Sequence, residues 1–446
     1  MKSSSLIFPE PPTPIRRLPP ETLGEIFSLV VHTTFHFGDI SEVIPPVTRN
    51  APWLFTRVCR HWSAVALATP TLWSMIFVDL DRLGERGSVP LTNLCLQRSG
   101  NVPLTVKIFQ ERGTYDSHSV LDVALSASER WKTADLYIRF PLLHQITRIH
   151  GNLSTLTTVL ISINMDSEEG FDEDFDELFW NVFADAPHLR SLQAICWDDS
   201  HFLRAPFSLP WCQLTRVSTT FASNTEALSV LRNLSEIIDC TFAFAKNEIL
   251  PRNHSTIHLS SLRSLALQIE NEVDDPPQLY QKHTSLLDFL ETPFLQSLAT
   301  HETADEEAVL GLITRSKCTS SLVSFRLYLS SIHHGTILHL VQKIPHLTLL
   351  EIGDFNGTLL PRSSVPVFVH AFANQWLGAA QNDVAQDTVP DHSRQILRVR
   401  IVDEQLEQQQ AHGISLLLQT MQKDGLFITL SPFPPRPNII FEDFHY

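Results

Sequence analysis

The chain has 446 residues, 43% of them hydrophobic, with 33 basic against 49 acidic side chains and a net charge of −16. Nucleic-acid affinity comes from Lys and Arg neutralising phosphates, so an excess of acid with no dense basic cluster disfavours nucleic acid and anionic membrane alike. Six scattered cysteines (59, 95, 196, 212, 240 and 318) form no C-x-x-C pair, which argues against a zinc module or a disulfide framework.

In chain order, residues 1–17 are proline-rich rather than an apolar leader. No apolar run approaches the ~20 residues needed to span a bilayer, so a cytoplasmic and/or nuclear location is expected. Pro19-Pro20 suits a helix start, where the missing N–H groups would be unpaired anyway. Leu23, Ile26, Phe27, Val30 and Val31 then fall at i, i+3, i+4, i+7 and i+8, one apolar helix face. Residues 32–50 read as a polar, proline-containing loop. Leu54, Val58, Trp62 and Val65 predict one stripe on a second helix, ended by Pro70. Two such helices cannot bury those faces alone.

From about residue 130, apolar segments recur as L-x-x-L-x-L or a close relative. They are Leu156-x-x-Val159-x-Ile161, Leu189-x-x-Leu192, Leu214-x-x-Val217, Leu234-x-x-Ile237, Leu262-x-x-Leu265-x-Leu267, Leu295-x-x-Leu298, Leu322-x-x-Phe325-x-Leu327 and Leu347-x-x-Leu350-x-Ile352. Successive first leucines are 33, 25, 20, 28, 33, 27 and 25 residues apart, near the 20–29 of leucine-rich repeats. Alternation marks strands, and Ala308, Val309, Leu312 and Ile313 fit a helix face between two of them. The Asn or Cys of a regular strand turn is mostly missing, so the expected fold is α/β: an irregular leucine-rich-repeat-like solenoid with a parallel sheet and outer helices. Leu397, Val399 and Ile401 predict a further strand, Glu404 to Gln422 a helix, and 431–446 a proline-rich tail.

Phosphate-binding, nucleophile-elbow and H-E-x-x-H motifs are absent, so no catalytic residue, metal or cofactor is assigned and no enzyme is expected. His32/His36 and His254/His258 have helical ligand spacing but no third ligand nearby. The run Asp166 to Glu177 is acidic with Phe171 and Phe175 interspersed, and lacks the order of a calcium loop. The simpler reading of this run is an exposed inter-repeat loop; the functional one is an electronegative patch, Asp172, Glu173, Asp174 and Asp176, for a basic client segment.

The opening segment resembles the F-box. Its Leu-Pro start, apolar helix, Val-Cys-x-x-Trp helix and closing Leu-Trp correspond to Leu18, Pro19, Leu23, Ile26 and Phe27, then Val58, Cys59 and Trp62, then Leu72 and Trp73. The wider pattern is similar to the large F-box group of mushroom-forming fungi. It continues through Gln97-Arg98-Ser99-Gly100-Asn101-Val102-Pro103-Leu104, Arg130-Trp131, Ala186-Pro187-His188-Leu189, Leu209-Pro210-Trp211 and Thr314-Arg315-Ser316-Lys317-Cys318. The inserted loop 32–50 departs from a compact F-box. The resemblance implies an F-box at 18–77 and a client-binding repeat domain at 78–430. It implies a substrate-receptor subunit of an SCF-type cullin–RING ubiquitin ligase, with a Skp-family adaptor, cullin through it, and a client protein as partners. Leu18, Pro19, Leu23, Ile26, Phe27, Val58, Cys59 and Trp62 would form the adaptor-binding surface or its support. A non-degradative protein-interaction scaffold is the alternative.

Overall fold

The computed structural model describes residues 18–34, 52–81, 85–110, 117–164, 181–196, 209–246, 248, 250, 255–269, 285–301, 306–328, 344, 346–353, 397–402 and 426–431. The expected N-terminal proline-rich segment, the helix at 404–422, the acidic run and nearly all of the proline-rich tail lie outside them, as does most of the inserted loop. The chain is mixed α/β and divides into two compact units, one dominated by residues 1–157 and the other by 158–444.

The first unit opens with helices α1 (Pro20–Thr34), α2 (Phe55–Val58) and α3 (Arg60–Ala68) and the 3-10 turn Pro70–Trp73. Strand β1 (Met75–Asp79), helix α4 (Glu85–Arg98), strand β2 (Leu104–Phe109), helix α5 (Ser119–Leu125), strand β3 (Trp131–Arg139) and helix α6 (Leu143–Ile146) follow. The strands pair in parallel, β1 with β2 and β2 with β3. Parallel neighbours need long crossovers, and α4 and α5 supply them. Ile76, Val106, Ala134 and Leu136 line the buried face, while Lys107 and Asp135 meet on the other face, Nζ to Oδ2 3.2 Å.

The second unit contains β4 (Thr158–Asn164), β5 (Ser191–Cys196), β6 (Arg216–Ser223), helix α7 (Asn224–Leu231), β7 (Asp239–Lys246), β8 (Ile257–His258), β9 (Ser264–Ile269), β10 (Leu290–Glu291) and β11 (Ser297–His301). Helix α8 (Glu306–Ser316), β12 (Ser324–Tyr328), β13 (Leu349–Gly353), β14 (Leu397–Val402) and β15 (Leu426–Ser431) complete it. Ten of these strands form one parallel ladder in chain order, with β8 and β10 set apart as a separate parallel pair.

The ladder is in register by sequence motif. Val159, Leu192, Val217, Cys240, Leu265, Leu298, Phe325 and Leu350 are successive Cα partners. One position in the expected array is corrected by this register. Cys240, not Ile237, aligns with Val217 and Leu265, so the motif there begins at Ile237 rather than at Leu234. Both residues are fully buried, and apolarity alone could not choose between them.

A repeated hydrogen-bond device sets the steps from Arg190 to Leu349. The residue after the first apolar position offers one carbonyl to two consecutive N–H groups of the next repeat. Arg190 accepts from Thr215 and Arg216 at 2.8 and 3.0 Å, Thr215 from Ile238 and Asp239, and Ile238 from Arg263 and Ser264. Arg263, Gln296 and Val323 continue the relay to Thr348 and Leu349. Because each N–H is committed, proline is excluded there.

Helix ends are closed by guanidinium groups. Arg315 donates to the carbonyls of Leu290 (3.1 Å) and Leu287 (2.6 Å), and Arg130 donates to Val102 O (2.9 Å) and Ser99 Oγ (2.7 Å). The chain leaves α4 through Gly100 at φ 54° and leaves α8 through Lys317 at φ 52°. Glycine adopts this left-handed conformation freely, whereas lysine is strained in it.

Candidate functional site: an exposed apolar row on the first helices

The expected second helix stripe is interrupted. Cys59 is extended (φ −160°, ψ 170°), so Phe55–Val58 and Arg60–Ala68 are separate helices. Cys59 Sγ accepts the Trp62 N–H at 3.5 Å, capping α3. The C-x-x-W spacing thus matches an N-cap side chain to the third residue of its helix. With the stripe broken at Cys59, Val65 is buried and Trp62 half-buried, while Leu54 and Val58 are left outside.

The interior of this segment is filled by Leu23, Phe27, Val31, Phe55, Val65, Ala66, Leu72 and Trp73, with Trp53, Trp62, Met75 and Cys95 packed against it. Phe27 lies between Phe55 and Trp62, with centroid distances of 4.0 and 4.9 Å. The Trp73 indole N–H donates to Ala66 O at 2.8 Å, so this buried ring keeps its polar atom satisfied. Gly24 permits the close approach of α1, since a Cβ there would stand 3.2 Å from Thr69 Oγ1.

The apolar face expected on α1 is therefore divided. Leu23, Phe27 and Val31 point inward, at 0, 1 and 1% exposure. Ile26, Leu29 and Val30 are outside, at 38, 66 and 39%, and Leu54, Val58 and Leu67 are also exposed. Of the residues expected to form or support a docking surface, Pro19, Ile26 and Val58 are exposed, and Leu18, Cys59 and Trp62 half-buried. Leu23 and Phe27 are core. Leu29 and Leu67 escaped the sequence reading. A search for apolar residues just off the buried periodic stripe would have found Leu29, three after Ile26 on the same helix side.

Charged residues border the row: Glu21 and Glu25 on α1, Arg57 on α2 and Arg60 at the start of α3 are all exposed. Asp172, Glu173, Asp174 and Asp176 lie outside the described residues, as do His36 and His254. His258 Nδ1 lies 3.5 Å from Glu291 Oε2. Among the described residues no group of three His, Cys, Asp or Glu side chains could hold a metal ion. None of the described helices is long and apolar enough to cross a membrane.

A pocket of about 270 Å³ in the first unit is lined by Asp122, Ser128, Glu129, Arg148 and Asn152, among others. Arg148 and Gln145 both donate to Asp122 Oδ1, at 2.8 and 2.6 Å. Gln145 also bridges the backbone of His118 in both directions at 2.9 Å, so these polar groups fasten α6 to the start of α5. Compared with models of known protein families the chain matches none, and a search of curated proteins also returns no match.

Proposed function

We propose that this chain is a substrate-receptor subunit of an SCF-type cullin–RING ubiquitin ligase. The first helices are read as an F-box that docks a Skp-family adaptor. The in-register parallel ladder is read as an irregular leucine-rich-repeat solenoid that holds a client protein, with Asp172, Glu173, Asp174 and Asp176 as a patch for a basic client segment. On this reading the chain works in the cytoplasm or nucleus and makes or breaks no bond itself. It raises the effective concentration of its client beside a ubiquitin-charged enzyme.

One observation carries the reading. Ile26, Leu29, Val30, Leu54, Val58 and Leu67 remain exposed on helices whose interior is already filled by their neighbours. Large apolar side chains concentrated on one small helical segment mark an interaction surface. They cannot be serving the segment's own core. The test is size-exclusion of the purified full chain with a purified Skp-family adaptor. Co-elution supports the reading, and its loss in an Ile26→Asp/Leu29→Asp variant of native melting behaviour assigns the contact to this row. Separate elution of the native pair at micromolar concentration overturns the reading.

A further inference from the structure

We infer that Arg98 is a positioning residue, a cation–π key that fixes the opening helices on the α/β body of the first unit. Arg98 is the last residue of α4, the crossover helix between β1 and β2. Its guanidinium carbon stands 4.2 Å from the centroid of the Trp73 ring and 5.1 Å from that of Trp53. Those rings meet edge to face, 4.9 Å apart at 83°. Arg98 Nη1 is buried and has no hydrogen-bond partner among the described residues. Arg98 itself is half-buried, and the negative faces of the two indoles compensate the buried end of its guanidinium.

The surrounding contacts explain why this is a key rather than one more core contact. Trp73 is bonded to α3 through Ala66, and Trp53 precedes α2, its carbonyl accepting the Thr56 hydroxyl at 2.8 Å. The two rings therefore belong to the opening helices. Arg98 belongs to the body, because the next residue, Ser99, accepts from Arg130 at 2.7 Å and Arg130 immediately precedes β3. Two consecutive residues at the end of α4 thus serve different neighbours: Arg98 meets the aromatic pair, and Ser99 meets Arg130 just ahead of β3. Apolar packing is non-directional, whereas a cation held against two mutually perpendicular rings defines one angle of approach. A neutral side chain of the same volume would fill the space without specifying that angle, as replacement of buried ions by apolar groups can preserve stability. The inference does not depend on what the exposed row binds.

The experiment uses the full chain with spin labels carried by non-canonical residues at exposed Glu25 on α1 and exposed Lys132 on β3. Pulsed electron paramagnetic resonance then reads the distance distribution between them. Arg98→Met is expected to broaden that distribution about twofold while far-ultraviolet dichroism stays native, with Arg98→Lys, which keeps the cation, falling between the two. Trp53→Leu, which removes one ring face, is expected to broaden it as well. A distribution for Arg98→Met that superimposes on the native one overturns the inference, and so does an Arg98→Lys distribution as broad as that of Arg98→Met. Should Arg98→Met fail to fold, Trp53→Leu decides: broadening supports the key and native width refutes it.

Discussion

Phe27 and Phe55 stack face to face, with ring centroids 4.0 Å apart and 10° between their planes. Ile26, one residue before Phe27, faces solvent. A single step along α1 therefore separates a residue that holds the segment together from one free to meet a partner.

That step sets the first prediction. Phe27→Ala should cost about 3–5 kcal/mol of unfolding free energy, because it opens a cavity between Phe55 and Trp62. Ile26→Asp with Leu29→Asp should leave the melt unchanged and weaken capture of a Skp-family adaptor about 100-fold or more, since a carboxylate would be buried in an apolar contact. Denaturant titration and calorimetric binding, run on both variants, separate the two effects. Adaptor binding at native affinity by the folded Ile26/Leu29 variant would remove this row from the interface.

Lys317 offers a stabilising substitution. At φ 52° it holds the left-handed conformation that Gly100 holds at the end of α4. Lys317→Gly removes the Cβ clash and should raise stability by about 0.5–1 kcal/mol, net of the greater chain entropy of glycine. A fall in the denaturation midpoint would show that the lysine side chain contributes more than its backbone strain costs.

Asp135 should make part of the stability pH-dependent. Burial raises its pKa above the usual carboxylate value, and the Lys107 ammonium beside it opposes that rise only in part. The folded state therefore holds the proton to higher pH than the unfolded chain does. The contribution is most favourable at acid pH and is lost as pH rises through the folded pKa. In Asp135→Asn, the fall in stability from this site as pH is raised above the ordinary carboxylate range should disappear. Denaturation midpoints across pH 4 to 7 for both proteins give the comparison, and parallel curves would refute it.

The thiols should sort by environment. Burial pushes Cys95 and Cys318 up to about 11, with Arg98 acting weakly in the opposite direction on Cys95. Cys240 is raised further by burial and by the neighbouring Asp239 carboxylate. Cys212 is exposed. Because the thiolate is the reactive species, a disulfide reagent at pH 8 should label Cys212 within the native state and reach Cys95, Cys240 and Cys318 only on unfolding. Peptide mapping of the labelled sites checks this, and native-state labelling of Cys240 would contradict its burial.

Much of the parallel ladder was legible because its signal is local and repeated. Leu156, Leu189, Leu214, Leu262, Leu295, Leu322 and Leu347 are each at most 1% exposed, and every following motif residue lies in the same parallel ladder. Alternation with a fixed offset can be read from sequence because pleat geometry sends alternate residues to opposite faces. The exception at Leu234 and Ile237 arose where two apolar residues three apart are both buried, and only strand pairing distinguishes them. The first helices show the same limit more sharply. Their sequence determined that apolar helices form there, but Leu23, Ile26, Phe27 and Val30 are chemically alike. Their division into core and surface was decided by where Phe55 and Trp62 come to rest after the break at Cys59. The seat of Arg98 against Trp53 and Trp73 is also tertiary: its rings are 45 and 25 residues away, and no local periodicity brings a cation to two indoles.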